Sequence, residues 1–145
     1  MAIFLDTGFY LGLIHKKDPH YQKAQDWLLQ IRQGLYGQIY TSNYILSEAV
    51  TLVATRTDGN PIALTRLRQI FSGSLQIATL LRVSEEEDFD AWDLFDKLAT
   101  TGELVYEEGF VSFVDCTNIV LCQQHSIEYI ASFDAHFKGW LESPY

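Results

Sequence analysis

Two hydrophobic patterns alternate along the chain, one typical of strands and one typical of helices. Short stretches rich in apolar residues are predicted as strands, and they lie at residues 2–5, 38–41, 75–81 and 127–132. Between them, apolar residues recur three and four positions apart, which is the spacing of one helix face. Strands that alternate with helices predict an α/β domain with a mainly parallel central sheet.

Start and stop signals place the predicted helices. Asp18-Pro19 puts a proline in the first turn of one helix, and Ser84 with Glu87 has the sequence pattern of a capping box at the start of another. The predicted segments are 7–14 (a short helix or turn), 18–34, 42–56, 61–71, a helix from 84 up to a loop over 102–109, and 112–124.

The first predicted strand ends at a carboxylate. Residues 2–5 are an unbroken apolar run, which favours a central strand covered on both faces of the sheet, and Asp6 follows directly. In parallel sheets, ligands bind beyond the carboxyl ends of the strands. Asp6 is therefore expected at the edge where a substrate or an ion binds.

Three further acidic residues stand in apolar sequence. Asp134 follows the last predicted strand, Asp115 lies in the first turn of a helix, and Glu48 borders the apolar stripe of another helix. Burial of a carboxylate is costly without a partner, and four gathered carboxylates would repel one another. A divalent cation such as Mg²⁺ or Mn²⁺, which prefers oxygen ligands, removes both difficulties.

Each acidic residue also has an ordinary structural explanation. Asp6 can cap the segment after it, and Asp134 can be a turn residue. Ser112 and Asp115 match a capping box. Capping does not explain the mid-helix position of Glu48. The four acids together are therefore more informative than any one of them.

Four short segments resemble the motifs of the PIN-domain family, in the family's order and spacing and over nearly the whole chain. They are Ile3-Phe4-Leu5-Asp6-Thr7, Ser47-Glu48-Ala49, Val111-Ser112-Phe113-Val114-Asp115 and Ala131-Ser132-Phe133-Asp134-x-His136-Phe137. The resemblance implies a three-layer α/β/α fold and a single PIN-like nuclease domain over residues 1–145. It extends to the single-domain toxins of VapBC-type toxin–antitoxin pairs.

The resemblance also implies an activity, that of a metal-dependent endoribonuclease that hydrolyses RNA phosphodiester bonds. The ligands of Mg²⁺ or Mn²⁺ would be Asp6 and Asp115 on a first ion, completed by Glu48 and Asp134, with Thr7 and Ser112 in support. A bound divalent ion lowers the pKa of a water nucleophile and neutralises phosphate charge, which this hydrolysis needs. A homodimer and a cognate antitoxin protein are implied as well.

The charge distribution changes the meaning of the net charge of −9, which by itself argues against a nucleic-acid partner. Ten acidic residues and one lysine fall within 83–108, whereas 56–82 holds four arginines and one aspartate. The arginines are either contacts for RNA phosphates or scattered solubilising charges, and they are Arg56, Arg66, Arg68 and Arg82.

The cysteines and histidines do not form a metal site by spacing. Cys116 and Cys122 lie six apart in one predicted helix, where they do not face each other, so no disulfide is expected. Of the four histidines, His136 lies two positions after Asp134, but surface or polar-core roles are favoured. With no signal-peptide pattern and no run of membrane-spanning length, we expect a cytoplasmic protein.

Three other functions stay open at this level. A non-catalytic PIN-like scaffold would bind partners only, although such a protein is expected to lack some of the four acids. A PIN nuclease can also act in RNA processing without a toxin role. A phosphotransferase with Asp6 as nucleophile is disfavoured by Gly8, because such enzymes often carry a second aspartate at that position.

Overall fold

A four-stranded parallel sheet lies at the centre of the computed structural model, which describes residues 1–137. The described strands are β1 (Ala2–Leu5), β2 (Gln38–Ser42), β3 (Thr79–Leu81), β4 (Val105–Tyr106), β5 (Gly109–Phe110) and β6 (Tyr129–Ala131). The sheet order is β3-β2-β1-β6, and β4 pairs with β5 in a separate antiparallel hairpin. Because the four central strands run in one direction, their carboxyl ends share one edge.

Helices cover both faces of this sheet and give the predicted three-layer α/β/α fold. Those within residues 1–137 are α1 (Thr7–Ile14), α2 (Tyr21–Arg32), α3 (Asn43–Arg56), α4 (Pro61–Ser72), α5 (Glu85–Thr101) and α6 (Phe113–Gln124). Helix α1 packs on α2, α3 and α4, whereas α5 packs on α6. None of these helices is both long and apolar enough to cross a membrane.

Strand β1 is the most deeply buried strand of the sheet, as its unbroken apolar sequence predicts. Ile3, Phe4 and Leu5 have no exposed surface, and β1 lies between β2 and β6. Burial of each such side chain contributes about 1.5–3 kcal/mol to stability. In α1, Tyr10 stacks on Phe71 of α4 with ring centroids 4.2 Å apart. The strand and the helix that flank Asp6 are therefore both packed into the core.

The structure corrects two predicted strands, and local hydrogen bonds give the reason. The predicted strand 75–81 shortens to Thr79–Leu81, because the Ile77 amide donates to the Ile70 carbonyl at the end of α4. The last strand is Tyr129–Ala131 and not 127–132, because the Ile127 amide donates to Cys122 of α6.

The other boundary differences have similar local causes. Helix α2 begins at Tyr21 and not at Asp18, because the Asp18 carboxylate accepts a hydrogen bond from the His20 amide in a preceding turn. The predicted loop 102–109 contains most of the β4–β5 hairpin. Cys116 and Cys122 are buried free thiols, as expected.

Candidate metal centre

Asp6 lies at the junction of β1 and α1, in the predicted position at the carboxyl edge of the sheet. Asp6 occupies the N-cap position of α1, but its side chain makes no capping hydrogen bond there, so capping does not account for this carboxylate. Ser132 donates a hydrogen bond to Asp6 Oδ2 at 2.7 Å, and the Asn118 amide donates to Oδ1 at 3.3 Å. The buried carboxylate is thus held by one side chain after β6 and one from α6.

Burial dominates the electrostatics of Asp6. The pKa of Asp6 is raised to about 7: removal from water is the largest cause and the nearby carboxylates of Asp115 and Asp134 contribute, whereas hydrogen bonds from Ser132 and the Thr7 backbone oppose the shift. Near neutral pH, a large fraction of Asp6 therefore carries a proton in the metal-free protein. A cation at this edge would favour the charged form.

Glu48 belongs to the same cluster although it comes from α3. Thr7 Oγ1, in the first turn of α1, donates a hydrogen bond to Glu48 Oε2 at 2.9 Å. Loss of water around the carboxylate raises the pKa of Glu48; the Thr7 hydrogen bond opposes this, and the charges of Asp115 and Asp134 add to it. Contrary to the apolar setting in the sequence, Glu48 and Asp134 are exposed residues.

Asp115 combines a structural role with a place in the cluster. Its amide donates to Ser112 Oγ at 3.1 Å and its Oδ2 accepts from the Ser112 amide at 2.8 Å, so the predicted capping box exists. The same Oδ2 lies 3.2 Å from His136 Nε2, and the exposed fractions of these side chains are only 13% and 6%. The capping box therefore fixes an acid that also faces the cluster.

His136 connects the cluster to the β4–β5 hairpin. The Tyr106 hydroxyl lies 3.0 Å from His136 Nδ1. Burial lowers the pKa of His136, but its contact with Asp115 and the charges of Asp134 and Asp6 outweigh burial, so the net shift is upward. The pKa of Asp134 is also raised. Partial burial is the largest cause and the charge of Asp115 adds to it, whereas the charge of His136 lowers the pKa.

The donor set fits a divalent cation. Ligand atoms of Asp115, Asp134 and His136 lie within 4.8 Å of one another. Asn118 Oδ1 is buried and has no hydrogen-bond partner within residues 1–137, whereas the buried His136 Nε2 has Asp115 Oδ2 3.2 Å away. Because the charges of Asp115 and Asp134 raise the pKa values of Asp6 and Glu48, an added positive charge would stabilise the charged carboxylates of this site.

The structure separates the predicted arginines. Arg56 and Arg66 line one cleft, which is distinct from the acid cluster, whereas Arg68 and Arg82 are not among its lining residues. Of the four predicted acids, Asp115 and Asp134 belong to the group whose ligand atoms lie within 4.8 Å of one another. Asp6 and Glu48 are linked to that group by the charges of Asp115 and Asp134, which act on both of them.

Sequence reasoning did not single out three residues of the cluster, and it favoured a surface or polar-core role for His136, whose Nε2 lies 3.2 Å from Asp115. Asn118 follows Asp115 by three positions on the same helix, and Ser132 precedes Asp134 by two, so their spacing was an available signal. Tyr106 had no such signal, because the hairpin that carries it was expected to be a loop.

A protein-family model and a ribonuclease sequence each match most of this chain. A family model described as PIN domain matches residues 3–139. A VapC ribonuclease from Archaeoglobus fulgidus is 25% identical over 137 residues, which cover 94% of this chain and 80% of that protein.

Solved structures share the fold over nearly the whole chain. VapC20 from Mycobacterium tuberculosis, described as a toxin that cleaves the sarcin-ricin loop, has a TM-score of 0.73 at 22% identity, with 94% of this chain and 93% of that chain covered. VapBC2 from Rickettsia felis, bound to a DNA fragment from its promoter, has a TM-score of 0.65 at 16% identity, with 99% and 97% covered.

Proposed function

The chain belongs to the PIN-domain family, and from that membership we propose that it is a divalent-metal-dependent endoribonuclease. The observation that carries the proposal is the charge interaction among four acidic residues far apart in sequence, in which Asp115 and Asp134 act on both Asp6 and Glu48. They are Asp6, Glu48, Asp115 and Asp134. All four acids are present, which favours an enzyme over a non-catalytic scaffold.

Asp6 and Asp115 would hold the first cation, and Glu48 and Asp134 would complete its shell directly or through water. Oxygen donors of this kind suit Mg²⁺ or Mn²⁺. When bound, such an ion lowers the pKa of a water nucleophile and neutralises charge on the phosphate.

The chain's own side chains position these ligands. Ser132 and Asn118 direct hydrogen bonds at both oxygens of Asp6, and Thr7 orients Glu48. Such outer partners fix a ligand's rotamer and favour its charged form. We assign the Tyr106 hydroxyl as the donor to Nδ1, so that neutral His136 carries its proton on Nε2 and directs it at Asp115. In this assignment His136 positions a ligand and does not itself bind the cation.

We also propose that the chain acts as the toxin of a VapBC-type pair. The support is the similarity to a VapC ribonuclease and to VapC and VapBC structures. An RNA substrate, a cognate antitoxin protein, a homodimer and a cytoplasmic location belong to this proposal. A PIN nuclease of RNA processing would share the acid cluster but would have no antitoxin partner.

RNA cleavage in the presence of Mg²⁺ tests the activity. We expect Asp6→Asn and Asp115→Asn to reduce cleavage by at least about 100-fold, because each removes a charged ligand. Asp96→Asn, which changes an exposed acid on α5, is the matched control and should cleave like the wild type. Chelation by EDTA should stop cleavage, and added Mn²⁺ should restore it. Full activity of the two site variants would contradict the assignment.

A further inference from the structure

A cleft of about 470 Å³ lies between the turn after α1 and the junction of α3 with α4. Its charged lining is dominated by Lys16, Lys17, Arg56 and Arg66. The chain has only ten lysines and arginines against nineteen aspartates and glutamates. The concentration of four cations in one cleft is therefore opposite to the charge of the whole chain.

These cations are available for an anionic ligand. None of the four forms an ion pair with another residue of the described part of the chain, and all four are exposed. Asp58 is the single acidic residue in the lining, and His15 adds a further group that can carry positive charge. The cleft thus presents several unpaired donors to one concave space.

Two helices connect the cleft to the acid cluster. Helix α1 begins at Thr7, beside Glu48, and ends at Ile14 in the cleft; α3 carries Glu48 and ends at Arg56. The two positions are seven residues apart in α1 and eight in α3, or about 10–12 Å along the helix axis. A second cavity of about 440 Å³ runs along α3 from Thr7 and Glu48 to Thr55.

We infer that this basic cleft binds the phosphate backbone of the RNA strand beside the scissile bond. The inference rests on the proposed nuclease function. The acid cluster and the acidic segment 83–108 repel phosphates, so the strand needs positive charge elsewhere to be held. Lysine and arginine provide it without reading sequence, and the cavity along α3 extends from Glu48 to Thr55, the residue before Arg56 of the cleft.

The choice of RNA over an acidic protein follows from this connection. A ligand that occupies the cleft and continues along α3 reaches Glu48, where the proposed chemistry takes place. An acidic polypeptide along the same path would meet further carboxylates. A phosphodiester strand would meet the same repulsion, but a cation held by the four acids would offset it at the reacting phosphate.

Binding of a labelled single-stranded RNA of about twelve nucleotides, measured by fluorescence anisotropy in EDTA over a series of salt concentrations, tests the inference. We expect the double variant Arg56→Gln/Arg66→Gln to bind about tenfold more weakly, with a salt dependence whose slope is smaller by about 1.4. Arg68→Gln is the control. Arg68 is an exposed arginine of α4, the helix that carries Arg66, but it does not line the cleft. This variant should bind like the wild type.

Other outcomes separate this inference from the proposed function. Wild-type binding by the Arg56→Gln/Arg66→Gln variant, with circular dichroism confirming its fold, overturns the cleft assignment and leaves the nuclease proposal intact. RNA binding that depends on the cleft, in a wild-type protein that cuts no RNA with Mg²⁺ or Mn²⁺, overturns the nuclease proposal alone. Binding of polyglutamate more tightly than RNA, lost in the same variant, overturns RNA as the ligand.

Discussion

The hydroxyl of Ser132 donates a hydrogen bond to the carboxylate of Asp6 at 2.7 Å, and it links this acid to a second one. The same oxygen accepts a hydrogen bond from the Asp134 amide at 3.1 Å. One side chain thus fixes both the orientation of Asp6 and the backbone that carries Asp134. Such a group acts on metal binding without contacting the metal.

Loss of this hydroxyl should weaken metal binding. We expect Ser132→Ala to reduce Mn²⁺ affinity by about 10-fold or more, because Asp6 loses a donor that favours its charged form. Isothermal titration with Mn²⁺ measures the effect. Thr41→Val is the control, since Thr41 also makes a buried hydrogen bond, to the Leu5 carbonyl at 3.1 Å, but contacts none of the four acids. Equal affinities in the two variants would show that Ser132 has only a structural role.

The raised pKa of Asp6 predicts how the stability of the metal-free protein depends on pH. Folding raises this pKa from 3.8 to about 7, so between these values the folded state binds more protons than the unfolded state. Stability should therefore fall as pH rises from about 4 to about 7. A shift of this size corresponds to about 4 kcal/mol, and the raised pKa values of Glu48 and Asp134 act in the same direction.

Asp6→Asn should remove the Asp6 contribution to this pH dependence. Without its charge, the variant should melt several degrees above the wild type at pH 8 in EDTA, although it is inactive in RNA cleavage. Thermal melts of both proteins from pH 4 to pH 8 provide the measurement, and Asp96→Asn again serves as the control. Identical pH profiles for wild type and Asp6→Asn would contradict the burial of a charge at this position.

The contacts of His136 predict a graded set of activities. Tyr106→Phe removes the hydroxyl on Nδ1 and should lower kcat/KM for RNA cleavage by up to about tenfold, because the ring can then adopt the other tautomer. His136→Gln keeps an N–H donor that can reach Asp115 and should retain more activity than His136→Ala. If His136 serves only to fill space, the glutamine and alanine variants will have the same kcat, and the pH profile of cleavage will be unchanged.

The central strand and the order of elements could be predicted because their signals are local. The apolar run of β1 has no alternation, and its residues are buried on both faces of the sheet. The β4–β5 hairpin was missed because two-residue strands carry no periodicity. The termini of α2, β3 and β6 shifted because single hydrogen bonds in adjoining turns overrode the hydrophobic pattern.

Long-range contacts were the part of the site that sequence could not supply. Ser132 and Asn118 are 126 and 112 positions from Asp6, so only the folded sheet brings them together. The exposure of Glu48 and Asp134 also depends on where the surrounding helices and strands end in space. The apolar residues beside these acids in the sequence do not reveal it. The four acids were singled out by their apolar neighbours in sequence and then by the resemblance to the PIN-domain motifs, and their role as ligands is still a prediction.

Because α1 and α3 each extend from the acid cluster to the basic cleft, the separation of these two places is set by helix length. Helices of this kind are stiff, whereas a loop of equal span would let the distance vary. A strand anchored in the cleft would therefore be cut at a constant number of nucleotides from its anchored phosphates.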